Sequence, residues 1–277
     1  MNTVKLPSGE AVPALGMGTW RLAENAAHRA EEIATLRLGL DRGASLIDTA
    51  EMYADGRAEQ LVGEAIAGRR EEVFLVTKVY PHNASHSGVP RACERSLRRL
   101  GTDRIDLYLL HWRGSIALEE TMAAFEALRQ AGKIRYYGVS NLDLADMQEL
   151  WQTEAGRTVQ TNQLLYNLTR RALEWDLQPW LRERGIPIMA YSPIEEGRLL
   201  ADSRLTKFAR SSGRTSAQVA LAWLLAQPGV IAVPKTARRE RLLENLACVE
   251  RPLDPGELVE LSRLFPPPRG PAALEML

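Results

Sequence analysis

Asp48 and Tyr53 stand five residues apart in the segment Leu46-Ile47-Asp48-Thr49-Ala50-Glu51-Met52-Tyr53. Lys78 follows the apolar run 73–77, and His111 follows the run 105–110. A carboxylate, a phenol, an ammonium and an imidazole are groups that hold and move protons in general acid–base chemistry. Other polar residues end runs of the same kind. Ser140 and Asn141 follow 137–139, Gln163 follows 158–162, Tyr191 follows 186–190, and Lys235 follows 230–233 and Pro234. Taken singly, Asp48 reads as a helix cap, Tyr53 as a core aromatic, Lys78 as a surface lysine and His111 as a satisfied core histidine. They act together only if the runs are strands whose like ends meet.

The pattern between the runs supplies that arrangement. Ile33, Leu36 and Leu40 recur at helical spacing, as do Leu61, Ala65 and Ile66. Further helices are expected at 90–100, 118–130, 144–151, 173–184, 216–226 and 238–248, with room for one more between Tyr191 and Val230. A first strand is expected at 15–18, making eight. Strand and helix in alternation imply parallel βαβ units. Eight units in 277 residues point to an α/β fold, the (β/α)8 TIM barrel, with an open doubly wound sheet as the alternative. Pro7-Ser8-Gly9-Glu10 has turn composition between two short apolar stretches, so an N-terminal β-hairpin precedes the barrel. Extra C-terminal helices complete it, and the proline-rich tail 266–271 cannot continue a helix. No composition break divides the chain, so one domain is expected over 1–277. In such a barrel the strand ends converge on one mouth, where the chemistry of this fold is found.

Composition narrows the function. Hydrophobic residues make up 45% and charged residues 25%, as in a chain with a substantial core. Lys+Arg and Asp+Glu balance at 35 each, which gives no general attraction to nucleic acid or an anionic membrane. Cys93 and Cys248 are too few for a disulfide framework and wrongly spaced for zinc, so both are expected as buried free thiols. His82 and His86 lie in a loop-like stretch with no carboxylate or thiol partner nearby, and no metal is expected. No signal-peptide core or membrane span is visible, and a cytoplasmic location and a monomer are expected.

The segments LGMGTW (15–20), LIDTAEMY (46–53), FLVTKV (74–79), DLYLLHW (106–112), GKIRYYGVSN (132–141), TNQLLYN (161–167), AYSP (190–193) and VPKT (233–236) together resemble the aldo-keto reductase superfamily along essentially the whole chain. Within it, the chain looks most like the short bacterial branch that includes methylglyoxal and diketogluconate reductases. The resemblance implies a catalytic tetrad of Asp48, Tyr53, Lys78 and His111. Reduction of a carbonyl needs a hydride at carbon, which no side chain supplies, and a proton at oxygen. A phenol titrates near 10 and is a weak acid at neutral pH. A neighbouring ammonium is expected to lower that value and ease proton release. Lys78 would supply the charge, Asp48 would hold Lys78, and His111 would orient the carbonyl oxygen.

The same resemblance implies NADPH. Ser140, Asn141 and Gln163 would hold the nicotinamide carboxamide, with Tyr191 stacked on the ring; Ser192 is also expected in the cofactor site. Lys235, Thr236 and Arg241 would grip the adenosine 2′-phosphate, and Glu244 and Asn245 the adenine. Arg238 and Arg239 read better as a solvated helix face. Glu195 and Glu196 depart from relatives. Two carboxylates in the loop that wraps the pyrophosphate would repel it unless they point outward or pair with Arg198. Trp20, Trp112 and His111 are expected to wall the substrate pocket, completed by loop 80–88 and the tail. The reading is a reductase of small aldehydes or ketones of the methylglyoxal kind. The alternatives are a nicotinamide-binding redox-sensing subunit and an aldolase using Lys78 as a Schiff base. A turnover assay separates them.

Overall fold

Strand residues alternate between two apolar environments, and that alternation aims the polar strand ends. The computed structural model describes residues 2–277; Met1, the first residue of the expected domain, lies outside the described residues. A hairpin, β1 (Thr3–Lys5) and β2 (Ala11–Pro13), pairs Val4 with Val12. Eight parallel strands follow: β3 (Met17–Gly18), β4 (Leu46–Asp48), β5 (Phe74–Val79), β6 (Ile105–Leu110), β7 (Ile134–Ser140), β8 (Asn162–Leu165), β9 (Ile188–Tyr191) and β10 (Val230–Ala232). Each pairs with its neighbour in chain order. Parallel bridges Leu15↔Ala232 and Gly18↔Lys235 join the first strand to the last, so the sheet closes and the open doubly wound alternative falls. Closure needs a glycine at 18, where a Cβ would come within 2.7 Å of the Val233 carbonyl oxygen.

The helices are α1 (Arg29–Asp41), α2 (Arg57–Ile66), α3 (Gly88–Leu100), α4 (Leu118–Gln130), α5 (Leu144–Trp151), α6 (Leu177–Glu183), α7 (Ser203–Ser211), α8 (Ser216–Leu225), α9 (Arg239–Leu246) and α10 (Pro255–Leu264). Local chemistry starts several of them. Thr215 with Gln218 and Asp254 with Glu257 form capping boxes, the second with Pro255 at the first helical position. Helix α7 fills the space between Tyr191 and Val230, and α10 is the C-terminal addition. None of the described helices is long and apolar enough to cross a membrane.

Inside the barrel, Leu46, Phe74, Val76, Leu107, Leu109, Met189, Ile231 and Val233 form one core, plugged from below by Leu6 and Val12 of the hairpin. Ile47, Leu75, Tyr108, Leu110, Leu164, Ile188 and Ala190 point the other way, into the larger core beneath the helices. Side chains of a strand alternate with period two. Asp48 therefore stands above Leu46, Lys78 above Val76, His111 above Leu109, Tyr191 above Met189 and Lys235 above Val233, all on the interior side. A packed hydrophobic column ends in a polar group at each of these strand ends.

Lys78, Ser140 and Tyr191 fall inside β5, β7 and β9 and not past their ends, because these strands run one to two residues further than the apolar runs. Two elements start about four residues later than the sequence expectation. The strand read over 158–162 runs over Asn162–Leu165, so Gln163 lies inside the strand and not past its end. Thr158 instead closes a 3-10 turn, its hydroxyl donating to the Ala155 carbonyl at 2.8 Å. The helix read over 173–184 is shorter, Leu177–Glu183, because Asp176 caps it and a separate turn, Ala172–Glu174, precedes it. Cys93 and Cys248 are buried and free.

Candidate active site

Lys78 is the most buried charge at the mouth, with 0% of its surface exposed. Burying an ammonium is costly unless each proton finds an acceptor. Lys78 Nζ has three: Asp48 Oδ2 at 2.9 Å, the Thr49 carbonyl at 2.8 Å and the Tyr53 hydroxyl at 3.0 Å. Asp48 is also held by Gln163, whose Nε2 donates at 2.9 Å to Oδ1, an oxygen that itself lies 2.8 Å from Lys78 Nζ. Tyr53 reaches back over the strand end because Ala54, Asp55 and Gly56 all take positive φ, of 48°, 54° and 84°. Its ring lies edge-on to Trp20 at 5.0 Å and 5.8 Å from the His111 ring. Trp112 follows, 4.8 Å from His111. The four tetrad residues are thus brought together, with Trp20 and Trp112 beside them.

Burial decides the protonation of this group. It works against the Lys78 ammonium, but Asp48 and Tyr53 more than offset it, and the pKa of Lys78 is raised. Burial also raises the Tyr53 phenol; Lys78 pulls it down and Asp48 pushes it up. The expected lowering of Tyr53 by its ammonium neighbour is thereby corrected: desolvation of a buried phenolate outweighs one nearby charge. Burial, with Lys78 second, drops His111 to about 2, so its imidazole is neutral at physiological pH. Its Nδ1 is buried without a hydrogen-bond partner.

The next strand ends form a connected shelf. The Asn141 Nδ2 donates to the His111 carbonyl and to Ser140 Oγ, each at 3.1 Å, and its Oδ1 accepts from the Tyr191 hydroxyl at 3.0 Å. Ser140 Oγ donates to the Gln163 carbonyl at 2.9 Å. Asn141 and Ser192 both hold positive φ, 58° and 49°. Non-glycine residues persist there only when their surroundings impose it, which is common at functional sites. Ser192 Oγ is buried and unpartnered.

Lys235 is half-buried, and burial lowers its pKa against the opposing pull of Glu32 and Glu24. Arg241 is exposed and makes no salt bridge among the described residues. The start of α9 carries no side-chain cap. Thr236 Oγ1 accepts from the Arg238 N–H at 3.1 Å, Glu244 is half-exposed and Asn245 is buried. Arg239 is tied to Glu31 by two bonds of 2.9 and 3.1 Å, in keeping with a surface role.

The Aldo/keto reductase family matches residues 14–264. The chain belongs to this family. Methylglyoxal reductase YeaE of Escherichia coli (strain K12) is 51% identical over 272 residues, 96% of each chain. Glyoxal reductase of Bacillus subtilis (strain 168) is 33% identical over 244 residues, 88% of this chain and 86% of that protein. Among solved structures, an aldo-keto reductase from Klebsiella pneumoniae in complex with NADPH superposes with a TM-score of 0.97 at 50% identity, covering 100% of this chain and 99% of that one.

In this aldo/keto reductase the two carboxylates after Pro193 do not stand free. Glu195 is 5% exposed and is bound by Asn167 Nδ2 at 2.9 Å, Arg170 Nε at 3.2 Å and Arg198 Nη2 at 3.2 Å. Glu196 pairs with Arg21 at 3.4 Å. Both carboxylates are therefore paired, Glu195 with Arg198 as expected and with Arg170 besides, and Glu196 with Arg21. Sequence reasoning missed Arg21, Arg170 and Glu51. For Glu51 a signal existed: it is a third ionisable group inside the segment that carries Asp48 and Tyr53. The tail also reaches the mouth. Glu275 pairs with Arg170 at 2.5 Å, and the Leu277 N–H donates to the Tyr191 hydroxyl at 3.4 Å. His82 and His86 lie in the loop after β5, and among the described residues no group of three or more His, Cys, Asp or Glu is placed to hold a metal.

Proposed function

We propose that this enzyme reduces small aldehydes and ketones of the methylglyoxal kind with NADPH, and that Tyr53 delivers the proton. The observation that carries the reading is the buried contact of Lys78 Nζ with Asp48, Thr49 and Tyr53 together. Bound NADPH supplies the hydride. Tyr53, held protonated by its surroundings, gives its proton to the carbonyl oxygen as that oxygen gains charge. The phenolate left behind is stabilised by the Lys78 ammonium, and Asp48 keeps Lys78 charged and in place. His111, neutral, orients the same oxygen through a hydrogen bond. Trp20 and Trp112 wall the approach and limit water.

The cofactor residues fit the group they are assigned. Gln163 spends Nε2 on Asp48, which leaves Oε1 for a carboxamide amino group, and Asn141 Oδ1 has a second lone pair for the same purpose. Tyr191 offers its ring to the nicotinamide. The orphaned Ser192 hydroxyl is suited to a phosphate oxygen. Lys235, Thr236, Arg241 and the uncapped start of α9 suit the 2′-phosphate, since free N–H groups at a helix start attract anions. Glu244 and Asn245 would contact adenine.

The names of the methylglyoxal and glyoxal reductases support small dicarbonyl substrates. An aldolase reading is disfavoured, because a Lys78 with all three protons bound and a raised pKa is a poor Schiff-base nucleophile. The test follows NADPH consumption with methylglyoxal and a panel of aldehydes. Turnover with NADPH is expected. NADPH binding without turnover would favour the redox-sensing reading.

A further inference from the structure

Glu51 lies between Asp48 and Tyr53 in sequence, and none of the chemistry above uses it. Its residue surface is only 8% exposed. A carboxylate buried to that extent needs donors on its oxygens. Oε1 accepts from the backbone N–H of Tyr80 at 2.9 Å and from Asn83 Nδ2 at 3.0 Å. Oε2 lies 3.5 Å from Arg95 Nη2 and 3.9 Å from Arg99 Nη2, both on α3. The N–H of Glu51 donates to the Lys78 carbonyl at 3.3 Å. The residue therefore ties the strand end that bears Lys78 to the loop just beyond it.

That loop borders the barrel mouth, where it is expected to complete the substrate pocket. The Tyr80 ring meets Trp112 edge-on at 5.7 Å, lies 6.5 Å from the His111 ring and packs on His82 at 4.6 Å. The loop folds back through the Asn83 N–H, which donates to the Tyr80 carbonyl at 2.9 Å. Its back rests on Gly114, where a Cβ would come within 2.6 Å of Pro81 Cβ. Thr121 Oγ1 holds the far end through the Ala84 carbonyl at 2.9 Å. Among these anchors, Glu51 is the side chain that binds the Tyr80 backbone.

We propose that Glu51 is a positioning residue for substrate specificity: its carboxylate fixes the backbone of Tyr80 and the side chain of Asn83, and so sets the wall that Tyr80 forms with His111 and Trp112. The inference rests on the reductase reading above. Glu51 does not touch the reacting atoms, so its loss leaves the transfer steps in place and loosens the contact with the part of the substrate that reaches the wall. A bulky side group depends on that wall more than a methyl group does.

The test compares wild type, Glu51→Ala, Glu51→Gln and Asn83→Ala with methylglyoxal and phenylglyoxal, and measures NADPH binding separately. For Glu51→Ala, KM for phenylglyoxal should rise about tenfold, KM for methylglyoxal less than about threefold, and kcat should stay within about twofold. The NADPH dissociation constant should not move. Glu51→Gln keeps an acceptor for the Tyr80 N–H and should recover most of the loss. Asn83→Ala removes one loop donor, leaves Glu51 in place, and should show the same split at about threefold, which keeps the test decisive if Glu51→Ala fails to fold. Unchanged KM values in the folded variants, or an equal fall of kcat for both substrates, would overturn the proposal while leaving the reductase reading intact. A wild type that does not turn over would overturn both.

Discussion

Lys78 Nζ and the Tyr53 hydroxyl are 3.0 Å apart in a site from which water is almost excluded, and both groups have raised pKa values. The ammonium is thereby kept charged and the phenol kept protonated at neutral pH. That is the state required of a proton donor whose conjugate base will be stabilised only after the proton has left.

Removing the ammonium should hurt more than neutralising its partner. Lys78→Met is expected to lower kcat by about a thousandfold, within the range seen for loss of acid–base assistance. Asp48→Asn should cost less, because Lys78 remains present beside Tyr53. Without Asp48, however, burial acts on Lys78 with less opposition and its pKa falls. The kcat of Asp48→Asn should therefore decline with rising pH earlier than that of wild type. Steady-state pH profiles of the three proteins check both points; coincident profiles contradict the coupling.

His111 makes a prediction about stability. Its pKa falls from an ordinary 6.5 to about 2 on folding, chiefly through burial. Between those values the unfolded chain binds a proton that the folded chain does not. The stabilisation is therefore full above the unfolded pKa and is lost as pH falls, at about 1.4 kcal/mol per pH unit. Urea unfolding of wild type and His111→Asn, compared between pH 4 and 7 on the order of one unit at a time, reads the difference as other groups cancel. The wild type should lose stability more steeply toward acid; parallel curves would contradict a buried neutral imidazole.

Cofactor choice should depend on Arg241. NADPH and NADH differ by one phosphate, and a charge-assisted bond to it is worth roughly 1.5–3 kcal/mol. With Lys235 also present, wild type should favour NADPH by on the order of a hundredfold in kcat/KM, and Arg241→Ala should erase about tenfold of that. A wild type that prefers NADH, or a ratio untouched by the substitution, would contradict the assignment of the 235–245 segment.

The placement of Asp48, Lys78 and His111 was legible because each stands two residues above a buried apolar side chain on its strand, or just past its end. A period of two carries that information locally. Gln163 was misplaced within its strand because the run before it contains Thr158, whose hydroxyl closes a turn that periodicity does not register. The pKa of Tyr53 was misjudged because sequence supplies the charged neighbour but not the depth of burial. The fate of Glu195 was legible only in part: the expected partner Arg198, three residues on, does bind it. Its partners Asn167 and Arg170 are 28 and 25 residues away, and they meet it only because the loops after β8 and β9 share one barrel mouth. Glu51 was in view, but its partner at Tyr80 is a backbone N–H, which no residue type announces.

Tyr53 is proposed to give the proton in an NADPH-dependent reduction. Tyr53→Phe tests it directly, since it removes one oxygen and keeps the ring that packs against Trp20. The measurement is single-turnover oxidation of bound NADPH by methylglyoxal, with the NADPH dissociation constant determined on the same protein. The rate should be lower by about two to four orders of magnitude with cofactor binding unchanged. A folded Tyr53→Phe that oxidises NADPH at the wild-type rate would contradict this role of Tyr53.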